Sequence, residues 1–96
     1  MHVTIRRYGQ LAVSMDEVRR AGRQLGAALG AAPGFVTYVL VETDGGAVTA
    51  ISIFETAAAA RAGDALLLPW EVAHLAGPLP APAGATTGDI LVQCGL

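Results

Sequence analysis

Four stretches of this chain can pair into a sheet, and each is apolar at both its odd and its even positions. The run Phe35–Glu42 (FVTYVLVE) sets Phe35, Val39 and Val41 on one side and Val36, Tyr38 and Leu40 on the other. The run from 47 to 55 (AVTAISIFE) sets Val48, Ala50 and Phe54 against Ile51 and Ile53, and the last apolar run sets Leu91 against Ile90 and Val92. Antiparallel strands with one wet face alternate apolar and polar residues cleanly, and these do not. Only two helical stretches accompany the strands, enough to cover one face. At about 25 cal/mol per Å2 of apolar surface, leaving the second face in water forfeits several kcal/mol. That face therefore calls for another protein surface, most simply a second copy of the same chain.

Bulk composition agrees. The chain has 96 residues, one domain's worth (1–96), and its core is modest for a single copy. Only 15% of its residues are charged, against about 25% in a typical soluble domain, while 53% are hydrophobic. A small chain with few charges and much apolar surface points to an oligomer. Net charge is −2 and there is no lysine, which argues against a phosphate-tracking nucleic-acid surface. The single cysteine, Cys94, excludes an internal disulfide and a multi-cysteine metal site, and its place in an apolar run reads as a small buried thiol. The opening residues lack a signal-peptide layout, and no apolar run approaches the roughly 20 residues that span a bilayer. The expectation is a soluble cytoplasmic protein with no membrane contact.

Along the chain, residues 2–8 (HVTIRRY) are β-rich, with Val3, Ile5 and Arg7 on one face and Thr4, Arg6 and Tyr8 on the other. Ser14 to Glu17 is a capping box, and Met15, Val18, Gly22, Leu25 and Leu29 form the apolar stripe of the helix that follows, which Gly30 ends. Asp16 and Arg20 are spaced for a weak supporting pair. Thr43-Asp44-Gly45-Gly46 is a tight hairpin between the second and third strands. Thr56 caps an alanine-rich helix through about Leu68, and Pro69 is expected to break it and start a new segment reaching Leu75 or Ala76. Residues 77–85 (GPLPAPAGA) are an extended connector, and the last strand is expected over 86–93. The order strand, helix, strand, strand, helix, strand gives an α+β, ferredoxin-like βαββαβ fold. Its four-stranded antiparallel sheet carries helices on one face.

The opening VTIRRY, the turn and strand PGFV, the strand ending SIFE, a second helix with Trp70 and His74, the connector LPAP and the ending TGDILV together resemble the dimeric α+β barrel superfamily. The nearest resemblance is to small proteins related to antibiotic-biosynthesis monooxygenase domains, and it covers nearly the whole chain. It implies two subunits whose sheets pack face to face as a homodimer, with a pocket between the helices and sheet of each. The superfamily includes cofactor-free oxygenases of aromatic compounds, haem-degrading enzymes, isomerases and proteins without known activity. Related oxygenases and haem degraders often use an asparagine near the reactive oxygen, and this chain has none. The haem degraders also separate their Trp and His by more than one turn.

Four residues are candidates for chemistry. Trp70 and His74 are four apart and share a face of a continuous helix, where an indole can stack on an aromatic ligand and an imidazole can shuttle protons. Tyr38 can orient a ligand oxygen from mid-strand. Arg7, a charge among Val3 and Ile5, either pairs with a carboxylate such as Glu55 or Asp89 or faces an anionic ligand. Tyr8 and Ser52 carry less weight, and Arg6 reads as solvated or at a dimer rim. The sequence shows no metal-ligand cluster and no phosphate-binding glycine loop, so no cofactor and no metal are expected. Two functions remain open. One is a cofactor-independent monooxygenase (or isomerase) holding a small apolar, aromatic compound between the second helix and the sheet. The other is a non-catalytic dimeric module that binds a small ligand or serves a structural role.

Overall fold

Each strand takes its place in the sheet from the apolar pattern that forms it. The computed structural model describes residues 1–75 and 82–95, side chains at 72–75 excepted. In it β1 (His2–Gln10), α1 (Met15–Leu29), β2 (Phe35–Glu42), β3 (Ala47–Phe54), α2 (Ala57–Leu75) and β4 (Gly84–Asp89) follow one another in the expected order. The sheet runs β2-β3-β1-β4 with every neighbour antiparallel. This is the ferredoxin-like βαββαβ arrangement, with both helices on one face.

Local chemistry sets the ends of the elements. Ser14 accepts the Glu17 amide proton at 3.3 Å and starts α1. Thr56 accepts from the Ala59 amide at 3.0 Å and starts α2. Between β2 and β3 the chain reverses through Gly45 and Gly46, whose φ of +81° and +80° suits residues without a Cβ. On α1, Val18, Ala21, Gly22, Leu25 and Leu29 are buried, so Ala21 joins the foreseen stripe while Met15 at its start is only half-buried. Asp16 pairs with Arg19 at 2.7 Å, three residues on, and not with Arg20.

The inner face of the sheet carries Thr4 and Tyr8 from β1, then Val48, Ala50, Ser52 and Phe54 from β3, each at most 3% exposed. The helices lay Leu25, Leu29, Ala60 and Leu67 over them.

Phe35 does not share a face with Val39 and Val41. The register slips between Phe35 and Thr37, so Phe35 lies opposite Phe54. A β-bulge of this kind turns one residue to the other side, and the two rings meet edge to face with centroids 5.8 Å apart. Pro69 does not break α2, which runs through it from Ala57 to Leu75. Proline deprives the Ala65 carbonyl of its helical donor, but Ala65 and Pro69 are both exposed, so water can take the donor's place.

The last strand covers Gly84–Asp89, earlier than 86–93. Its partner sets this: Asp89 pairs with His2, the last pair between the two strands, and the Ile90 amide donates to the Met1 carbonyl at 2.8 Å. Leu91 and Val92 therefore overhang the sheet at 94% and 80% exposure. Cys94, expected to be buried, is exposed on the same overhang. Of the connector, residues 77–81 lie outside the described residues.

Candidate functional site

Alternation along β1 sends Thr4, Arg6 and Tyr8 toward the helices, which places two polar side chains inside an otherwise apolar layer. Arg6 reaches α2, where its Nη2 pairs with Asp64 Oδ1 at 2.5 Å, and its Nη1 lies 3.4 Å from Ser52 Oγ. One face of α2 presents both Asp64 and, seven residues on, Glu71. The Tyr8 hydroxyl donates to Glu71 Oε1 at 3.3 Å. Arg6 with Ser52 and Asp64, and Tyr8 with Glu71, thus form two hydrogen-bonded sets between the sheet and α2, coupled to each other by charge.

Burial governs how this group titrates. It raises the Glu71 carboxyl above its ordinary value, and Asp64 adds to the rise, while the bond from Tyr8 and the charge of Arg6 oppose it. Tyr8 is pushed up to about 12, first by burial and then by the charge of Glu71. Tyr38 is raised as well, by burial first and then by Tyr8 and Glu71. Its hydroxyl is sealed from solvent and has no hydrogen-bond partner among the described residues. An orphaned buried hydroxyl costs about 1–3 kcal/mol.

Tyr38 also floors the largest cleft described, about 510 Å3 between α1 and the edge strand β2. Its walls are Arg19, Gly22, Arg23 and Gly26 of α1 and Phe35 to Tyr38 and Leu40 of β2. The two glycines set the spacing of these elements. A Cβ on Gly22 would lie 2.6 Å from Leu40 Cδ2, and one on Gly26 would lie 3.4 Å from the Tyr38 ring. The volume falls within the 300–1,000 Å3 usual for small-molecule sites. A smaller cleft of about 240 Å3 lies between the helices, lined by Leu29, Ala32, Gly63, Leu67 and Trp70 among others.

Of the sequence candidates, Tyr38 lies where the largest cleft meets the polar group. Trp70 is half-buried, packs against the core and lines the smaller cleft between the helices, not a space between α2 and the sheet. The side chain of His74 lies outside the described residues. Arg7 is exposed on the outer face and donates to Thr86 Oγ1 at 3.0 Å. Its partner is a hydroxyl on β4 rather than Glu55 or Asp89, and the sheet separates it from Tyr38. Asp89 instead lies 3.1 Å from His2 Nδ1.

Sequence reasoning missed Arg6, taken for a solvated or rim residue, and Glu71, which it did not single out. The signal for Arg6 was its alternation with Thr4 and Tyr8. Nothing local marked Glu71. Among the described residues no group of three or more His, Cys, Asp or Glu could hold a metal ion. No described helix is long and apolar enough to cross a membrane.

No family model matches the sequence, and no curated protein matches it. Solved structures do. The heme-degrader MhuD of Mycobacterium tuberculosis, with two hemes bound in its active site, superposes with a TM-score of 0.69 at 21% identity, over 99% of this chain and 100% of that one. A variant of SnoaB, a cofactor-independent oxygenase from Streptomyces nogalater, gives 0.67 at 20% identity over 99% and 96%. A candidate antibiotic biosynthesis monooxygenase from Nitrosomonas europaea gives 0.71 at 16% over 96% and 100%. The chain has the fold of the antibiotic-biosynthesis-monooxygenase-like α+β barrel subunits.

Proposed function

We propose that this chain is a cofactor-independent oxygenase of small apolar, aromatic compounds that works as a homodimer. The observation that carries the reading is Tyr38. Its ring floors a cleft of ligand size, and its unpartnered hydroxyl sits beside the Tyr8–Glu71 pair. The fold shared with SnoaB and the monooxygenase-like structures supports the reaction class.

The chemistry follows from the substrate's own electrons. An anthrone that loses a proton from its CH2 becomes an electron-rich anion able to pass one electron to dioxygen. The resulting radical pair joins through a new C–O bond, and the hydroperoxide loses water to leave a carbonyl, so that one CH2 and one O2 become one C=O and one H2O. On binding, Tyr38 turns its hydroxyl, sealed in the free chain, toward the substrate oxygen and holds it by a hydrogen bond. Glu71, with its raised proton affinity, takes the proton by way of Tyr8. Trp70 bounds the neighbouring space as a stacking surface, and His74, four residues on in the sequence, is a second proton carrier.

Haem does not fit the largest cleft. Among the described residues its lining contains no imidazole, thiolate or thioether, and a tyrosine with a raised pKa is not the phenolate that ligates iron.

The homodimer reading rests on the outer face of the sheet. Val39 is 45% exposed there, beside half-buried Val3, Ile5, Ile51 and Ile53, and the overhanging Leu91 and Val92 add to the uncovered apolar surface. The exposed, unpaired Cys94 suits the reducing cytoplasm.

Oxygen uptake with 1,8-dihydroxyanthrone and a naphthoquinol tests the activity. Uptake above the buffer rate is expected, with Tyr38→Phe and Glu71→Gln slowing it by about 100-fold while both variants stay folded. No uptake above buffer with either compound refutes the oxygenase. One observation favours the alternative of binding without turnover: the chain lacks the asparagine often used by related oxygenases. That alternative expects a ligand to raise the melting temperature with no oxygen consumed.

A further inference from the structure

Half of the chain's six cationic residues, Arg19, Arg20 and Arg23, lie on α1. Two of them, Arg19 and Arg23, are four residues apart and both wall the α1–β2 cleft, whose lining includes no Asp or Glu. Like charges at this spacing repel and weaken a helix. Arg19 has acidic company, since Asp16 accepts from it at 2.7 Å and Glu42 shares a neighbouring hollow with it. Arg23 has no hydrogen-bond or ion-pair partner among the described residues, although its chain carries a net charge of −2. Apart from the two arginines and Thr37 the lining is apolar, made by Gly22, Gly26, Phe35, Val36, Leu40 and the ring of Tyr38. A fork of donors above an apolar floor matches a molecule with a flat hydrocarbon body and a carboxylate at one end.

We propose that the ligand of this cleft is an aromatic acid, with its ring system on the β2 floor and its carboxylate held by Arg23 with help from Arg19. The proposal rests on the reading of the cleft as the ligand site and adds the anionic group that reading leaves open. It also makes Arg23 a residue that selects among aromatic compounds without taking part in proton transfer.

The test compares 2-naphthoate with its neutral counterpart 2-naphthamide, titrated into the full chain by calorimetry. Amide chemical shifts of Gly22 and Gly26 report whether each compound occupies the cleft. The acid is expected to bind about fivefold more tightly, the scale of a partly exposed charge pair, and the preference is expected to shrink as salt is raised. Arg23→Gln removes the preference, so that the acid then binds no more tightly than the amide. Arg20→Gln makes the same change of net charge outside the cleft and keeps the preference. Equal affinity for acid and amide overturns the proposal while leaving an apolar ligand site in place. So does an equal loss in Arg20→Gln and Arg23→Gln. If neither compound shifts the two glycine signals at millimolar concentration, the proposal and the ligand reading of the cleft both fail.

Discussion

The two faces of the sheet are built from the same kinds of residue and have different fates. On the inner face Phe54, Val48 and Ala50 are 1% exposed, covered by the chain's own helices. On the outer face Ile51 and Ile53, their neighbours in the same strand, are only half-buried, and Val39 and Val41 are exposed. Hydrophobicity alone cannot tell these faces apart. What distinguishes them is the polar content of β1: Arg6 and Tyr8 turn inward because α2 supplies Asp64 and Glu71 to receive them. The inner face is finished within one chain, and the outer face is left uncovered by it.

The most severe challenge to this contrast is Phe54→Ala. Phe54 meets Phe35 edge to face, and α2 passes so close that a Cβ on Gly63 would lie 2.6 Å from its ring. Its loss is expected to cost about 3–5 kcal/mol in chemical denaturation. On the outer face, Ile51→Asp is expected to leave the subunit folded by circular dichroism. It should weaken self-association by roughly 100-fold, because the carboxylate is desolvated without a partner. If Ile51→Asp unfolds the chain as thoroughly as Phe54→Ala, the two faces are not distinct in kind.

A smaller effect sharpens the polar side of the inner face. Glu71 holds its proton more tightly folded than unfolded, because burial disfavours its charge. Above its ordinary value of 4.5 the unfolded chain releases that proton first, so this group's contribution to stability falls as pH rises until the folded carboxyl has ionised as well. Urea melts across this range are expected to show that decline in the wild type but not in Glu71→Gln. A difference curve that is flat or rises with pH contradicts the burial of Glu71.

Tyr38→Phe is the mildest change. Removing an unpartnered hydroxyl is expected to leave stability unchanged or raise it by about 1 kcal/mol. A loss of 2 kcal/mol or more would mean that the hydroxyl is bonded within the chain rather than held ready for a ligand.

Much of this fold is legible in the residues. Ser14 and Thr56 announce their helices, Gly45-Gly46 announces the hairpin, and the period-two runs give the strands. The departures share one cause, since each is decided by residues distant in sequence. Phe35 changes sides because Phe54 awaits it across a bulge. β4 ends at Asp89 where its pairing with β1 ends, and Pro69 stays helical because its side of α2 faces water. The candidate site was legible only in Tyr38. Arg6 finds Asp64 across 58 positions and Tyr8 finds Glu71 across 63, and no local pattern encodes such meetings. Gly22, Gly26 and Gly63 make room for Leu40, Tyr38 and Phe54, strand residues that only the fold brings to them.

Sedimentation equilibrium at micromolar concentration tests most directly whether the outer face is completed by a second copy. The account expects a mass of twice 9.8 kDa, falling toward one chain in Ile51→Asp. A wild-type mass of one chain, with Ile51 and Ile53 bathed in water, contradicts it.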